Sequence, residues 1–228
     1  KKLGTSLPVN PSPLRIIIEL LLAKIDLRGK SIDDLMNIPL MTDPHKQAVL
    51  RLLVTLASSS YIAAPDLLPL IILRSLRISV KNGISKKTPE TFAGYGMIHC
   101  AVLGDIETGY KYGTFALRLM DKLGIKKNNL KALWVFWCMV NHWKNPIRDS
   151  LNHYLEAYQT GLETGDLEFA AIHVNTYSCY MFYAGMDLDT VEKETSMYTD
   201  AISKLNQDTI HNFQLILHQA VLNLQGKS

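Results

Sequence analysis

Cysteine is scarce in this chain: Cys100, Cys138 and Cys179 stand far apart among 228 residues, with no CxxC spacing. That excludes a disulfide framework. It is the usage of a reducing compartment, in which buried thiols behave as small apolar groups. Long hydrophobic runs are missing too. The stretch "LRIIIELLLAKI" is too short to span a bilayer and is broken by charge, and no secretory leader is visible. A cytoplasmic location without membrane insertion is expected. Nor is charge of one sign concentrated anywhere. The net charge is +3, and the pairs Lys86-Lys87 and Lys126-Lys127 sit beside turn signals, where charge is solvated and substitution should be tolerated. Nucleic-acid binding needs a basic stripe, so no nucleic-acid partner is expected. Sustained alternation of apolar and polar residues is absent, and Asn82-Gly83 reads better as a helix end than as a hairpin.

Catalytic signatures are equally lacking. There is no GxxxxGK[ST] phosphate loop, no HRD or DFG triplet and no GxSxG elbow around Ser178. Seven histidines are present, but His211 and His218 lie two turns apart and no HExxH or i, i+4 pair occurs. His99, His142, His153 and His173 fall in or beside apolar helices and read as core or surface groups. Glu156, Glu163 and Glu168 spread over two helices, with nothing that draws them into one cleft as acid–base chemistry requires. No enzymatic activity, cofactor or metal is expected of this segment.

What is present is helix. The composition, 47% hydrophobic and 20% charged, is that of a globular chain. Ser12-Pro13, Asp43-Pro44, Thr88-Pro89 and Asn145-Pro146 each pair a capping side chain with a proline at the first helical position. Asp187 and Asp208 are further caps, while Gly29, Gly83, Gly124 and Gly185 are expected stops. Apolar residues recur at three and four, as in Ile106, Tyr110, Gly113, Leu117 and Met120. Hairpin starts fall near residues 43, 88, 128, 166 and 208, a period of about 40 that is the mark of a helical-repeat array. The expected fold is all-α: an α-solenoid of antiparallel helix hairpins. Residues 1–228 form one domain, with opening helices over 1–42 and the array over 43–228. The chain begins without Met and is expected to be a segment of a larger multidomain protein.

Two details qualify that array. Gly109, Gly113 and Ala116 make a small-residue stripe on one helix, where close approach of a neighbour would offset a glycine cost of about 1 kcal/mol. A bulkier residue at Gly113 should overpack that contact. Gly104-Asp105 is expected to turn within a hairpin, and the similar Gly165-Asp166 to pass between hairpins.

The pattern "A..LGD...GY.YG..AL.LM.KLG" resembles the second half of a tetratricopeptide repeat, with longer helices. A resemblance over nearly the whole chain is to the helical region after the STAND/AAA-type ATPase module of bacterial multi-sensor Ser/Thr–histidine signalling kinases. It is carried by "LPVNPSPLRIIIELLLAKIDLRGKSIDDLMNIPLMTDPHKQAVLRLL", "YIAAPDLLPLIILRSLRISVKNGIS", "YGMIHCAVLGDIETGYKYGTFALRLMDKLG", "HWKNPIRDSLNHYLEAYQTGLETGDLEFA" and "LHQAVLNLQGKS". The resemblance implies a signalling context, with kinase and ATPase motifs outside this segment.

Aromatic side chains supply the candidate site. Trp134, Phe136, Trp137 and Trp143 crowd one segment, Tyr177 and Tyr180 another, and Tyr154 and Tyr158 lie between. Such residues serve an inter-repeat core, or they line a groove for a protein partner or an adjacent domain. The alternative is a pocket for a small-molecule effector. An open apolar groove favours the partner, and an enclosed cavity of about 300 Å³ or more favours the effector.

Overall fold

The computed structural model describes residues 7–8, 10–125 and 129–227. Among them the regular structure is entirely helical, apart from one isolated parallel bridge between Leu40 and Ile84. The sequence reading took 1–228 as a single domain; the chain divides into two compact units, 1–126 and 127–228.

The first unit holds α1 (Pro13–Leu27), α2 (Ile32–Met36), α3 (Pro44–Ala63), α4 (Leu68–Asn82), α5 (Thr88–Ala101) and α6 (Ile106–Lys122). The second holds α7 (Leu130–Met139), α8 (Leu151–Thr164), α9 (Leu167–Tyr183), α10 (Leu188–Lys204) and α11 (Asp208–Leu224). Local chemistry fixes these boundaries. The Asp43 carboxylate accepts the His45 amide at 2.8 Å, Asp105 that of Thr108 at 3.1 Å and Asp187 that of Thr190 at 3.0 Å. Gly83 takes φ +110° at the end of α4, beyond ordinary side-chain conformations, and a methyl there would meet the Met41 backbone at 2.8 Å.

Four expected starts differ. Ser12 makes no side-chain cap bond. Thr88 lies inside α5, and its hydroxyl accepts the Ser85 amide at 2.9 Å. Asn145-Pro146 leads into a short 3₁₀ turn, Ile147–Ser150, before α8 begins. Asp208 is the first residue of α11 rather than its cap.

The first unit is built on α4, which packs against α1, α3 and α5. Its contact with α1 is ionic. Glu19 accepts from Arg74 at 3.0 Å and Arg77 at 2.7 Å, and Asp26 from Arg77 at 2.9 Å and Lys81 at 3.0 Å. Both carboxylates are nearly buried, so each needs its cation. Arg77→Met removes the guanidinium that joins them while keeping most of the apolar stem. Loss of its charge-assisted bonds should lower stability by about 2 kcal/mol, read as an earlier urea midpoint at unchanged slope.

The closest helix contact in this unit joins α5 to α6. Gly109, Gly113 and Ala116 are buried on α6. A methyl on Gly96 of α5 would lie 2.7 Å from the Gly109 carbonyl oxygen and 3.1 Å from the Gly113 nitrogen. One on Gly109 would lie 2.3 Å from Cys100 Sγ and 2.8 Å from the Gly96 carbonyl. The two backbones touch directly, and no side chain fits between them.

A smaller version of this contact holds α8 to α9, where a methyl on Gly161 would stand 2.7 Å from the Ala170 methyl. The α8–α9 turn is Gly165-Asp166, with Gly165 at φ +78° and Asp166 accepting the Phe169 amide at 3.3 Å. The expectation that this turn passes between hairpins is therefore corrected: it closes a tightly packed pair, as Gly104-Asp105 does. Residues 140–150, with their two 3₁₀ turns, separate α7 from α8, so in the second unit the dominant pairs are α8–α9 and α10–α11.

The core of the second unit carries a polar knot. The fully buried Gln214 of α11 donates to Ser178 Oγ at 2.9 Å and to the Thr195 carbonyl at 3.2 Å. Its carbonyl oxygen accepts from Asn175 at 2.8 Å. Fully satisfied networks of this kind fix one register among three helices, because every shift leaves a buried polar atom unpaired.

Candidate functional site

Helix α7 begins where the Asn129 side chain accepts the Ala132 amide at 3.2 Å. From that start, 3.6 residues per turn bring Trp134 and Trp137 toward neighbouring helices. Phe136 is buried, and the other seven aromatic residues singled out in the sequence do not converge on one site. They separate into three settings.

Tyr154 and Tyr180 are buried in the core, and the partly buried Trp134 packs beside them. The Trp134 indole donates to Thr176 Oγ1 at 2.8 Å, and the Tyr180 hydroxyl donates to the Cys138 carbonyl at 3.0 Å. Tyr154 is fully buried and meets Tyr180 edge-on, with centroids 5.2 Å apart. Burial, with smaller contributions from neighbouring thiols and phenols, holds the Tyr154 and Tyr180 hydroxyls protonated far above the usual range. His173, also fully buried, faces Tyr154 and bonds the Leu130 carbonyl through Nε2 at 3.0 Å. Of the two readings left open for these aromatics, burial favours the core for Tyr154 and Tyr180, while Trp134 is partly buried against α9.

Trp137 and Trp143 occupy a second setting. Trp137 stacks on the His153 ring, with centroids 3.8 Å apart and planes within 15°. Trp143 lies in the 3₁₀ turn Asn141–Trp143 and is 43% exposed.

Tyr158 and Tyr177 form the third, each meeting Tyr198 edge-on at 5.7 and 5.8 Å. Burial first, then the Glu194 carboxylate, pushes the Tyr198 phenol up to about 12. Beside this cluster an open cleft of about 470 Å³ runs between α8 and α10. Tyr158 and Leu162 line one side; Met197, Asp200, Ala201 and Lys204 line the other, with Leu205 at the end. The walls are largely apolar, and one carboxylate and one ammonium stand among them. Met197 is half exposed. Positions 197, 200, 201 and 204 share one face of α10. Sequence reading found Tyr158 and missed the α10 residues, because their spacing is the same for a buried face and for a lining.

The remaining polar groups are dispersed. His218 bonds Glu192 at 3.2 Å, and His153 lies 3.7 Å from Glu156. No group of three or more His, Cys, Asp or Glu able to hold a metal occurs among the described residues. Burial pushes all three thiols up to about 11, so none is an activated nucleophile. Among the described residues no helix is long and apolar enough to cross a membrane.

No protein-family model matches the chain, and no solved structure does. The chain is similar to hybrid signal transduction histidine kinase G of Dictyostelium discoideum, with 21% identity over 188 residues. That alignment covers 82% of this chain and 6% of the relative, so the match concerns a small part of a far longer protein. The resemblance drawn from the sequence was to bacterial kinases; this relative comes from Dictyostelium.

Proposed function

We propose that this chain is a non-catalytic helical-repeat module of a multidomain signal-transduction kinase. It binds a protein partner or a neighbouring domain and relays that contact to ATPase and kinase modules elsewhere in the chain. In this reading the helix pairs are repeats of an α-solenoid, TPR-like in build, and the module works in the cytoplasm. The carrying observation is the open, apolar cleft between α8 and α10, with Tyr158 and Met197 facing across it. An open groove with few polar groups fits an apolar helix face or peptide, which brings its own shape. Similarity to a histidine kinase supports the signalling setting.

The test is capture of the flanking kinase segments by this module, beside a thermal-shift screen against metabolites and nucleotides. Met197→Asp places a carboxylate in the cleft at a half-exposed position. It should weaken capture at least tenfold and leave the melting temperature within about 2 °C. A saturable thermal shift with one metabolite, abolished by the same substitution, would replace the partner reading with effector sensing. Undiminished capture by Met197→Asp would remove the cleft from the interface.

A further inference from the structure

Helix α1 is turned inside out. The face it buries against α4 carries Glu19, Asp26, Ala23 and Leu27, while Leu14, Ile17, Ile18, Leu21 and Ile25 point to solvent. These five are between 47% and 66% exposed. At 100° per residue they fall within an arc of about 100°, opposite the buried face. An arc of that width is the seam for one further helix, and β-branched Ile with Leu at three- and four-residue spacing suits knobs-into-holes packing.

Charge identifies what fits. Both carboxylates of α1 are consumed by Arg74, Arg77 and Lys81 of α4. The charged side chains left exposed along α1 and just after it are Arg15, Lys24 and Arg28, all cationic. A second copy of α1 is a poor occupant: its flanks carry the same cations, Arg15 on one side and Lys24 on the other, and its two carboxylates are already paired with α4. An aliphatic seam this narrow, without aromatic anchors, is also unlike a helix lying in a membrane interface.

We infer that the outer face of α1 is a docking site for an amphipathic helix with an aliphatic stripe flanked by Asp and Glu. The site is separate from the α8–α10 cleft, and it stands or falls independently of the function proposed for that cleft. The cationic rim selects the partner's flanks, and the stripe supplies the buried area.

The probes are two labelled helical peptides with the same Leu/Ile stripe, one flanked by Glu and the other by Lys. Fluorescence anisotropy with the whole 228-residue chain should show the Glu peptide binding at least tenfold tighter, and more weakly as salt rises. Ile18→Asp should abolish binding. Arg15→Glu with Lys24→Glu should reverse the peptide preference, and both variants alter exposed side chains, so circular dichroism should be unchanged. Equal affinity for the two peptides, or affinity untouched by Ile18→Asp, overturns the proposal. So does binding to phosphatidylserine vesicles without peptide binding, or a dimer in sedimentation that Ile18→Asp dissolves.

Discussion

Gly96→Leu is expected to unfold the first unit under conditions where the parent is stable, at a cost of about 3 kcal/mol. The obstacle is backbone. A first methyl on Gly96 meets the Gly109 carbonyl at 2.7 Å and the Gly113 nitrogen at 3.1 Å, and neither group can rotate away. The remaining three carbons of leucine would have to force α5 and α6 apart along their length, and overpacking of that kind costs 1–3 kcal/mol or somewhat more. Gly94→Ala, two residues away, is the control. Its methyl would have the Ile72 side chain as its nearest neighbour, at 3.2–3.3 Å, and a side chain yields more readily than backbone. A urea melt should show a large loss for Gly96→Leu and less than about 1 kcal/mol for Gly94→Ala. Equal losses would show that the Gly109 and Gly113 backbone imposes no more on Gly96 than the yielding Ile72 side chain does on Gly94, since helix propensity favours both replacements.

The second large effect is a loss of stability with acid that centres on His173. Burial pulls its imidazole down to about 4 from the ordinary 6.5. The unfolded chain therefore takes up a proton as pH falls through 6.5, while the folded chain resists until about 4. In that window the unfolded state binds more protons, so stability falls as pH falls. The difference between 6.5 and about 4 corresponds to roughly 3 kcal/mol. His99, in the first unit, is lowered by burial as well and acts in the same direction. His173→Gln retains a donor for the Leu130 carbonyl and removes the titration. Unfolding of the second unit should then lose most of its dependence between pH 6.5 and 4. A variant as acid-sensitive as the parent would show that other groups carry the effect.

The fold was largely open to a reader of the sequence because its helix boundaries are chemical. Asp43, Asp105, Asp166 and Asp187 cap helices, and Gly29, Gly124 and Gly185 take positive φ, because each side chain or its absence acts within one turn of itself. Pairing was less legible. Gly109 and Gly113 were noticed, but the partner residue Gly96 sits on another helix, and nothing local marks which glycines will meet. The same limit applied to the aromatics. Trp134 and Trp137 share a helix only three residues apart, yet one bonds Thr176 and the other stacks on His153. Local spacing does not encode which neighbour arrives. Helix α1 shows the same limit: hydrophobicity alone would turn its Leu and Ile inward, whereas Glu19 and Asp26 are the side chains that meet α4.

The three thiols give the chain a further property. With each held up to about 11, the thiolate at neutral pH is a fraction of roughly one in ten thousand, and alkylating reagents attack thiolate alone. Cys100 lies in the first unit, Cys138 and Cys179 in the second. Each unit thus carries its own clock: the label enters only when local opening restores an ordinary thiol, and the rate at each cysteine measures how often its own unit breathes.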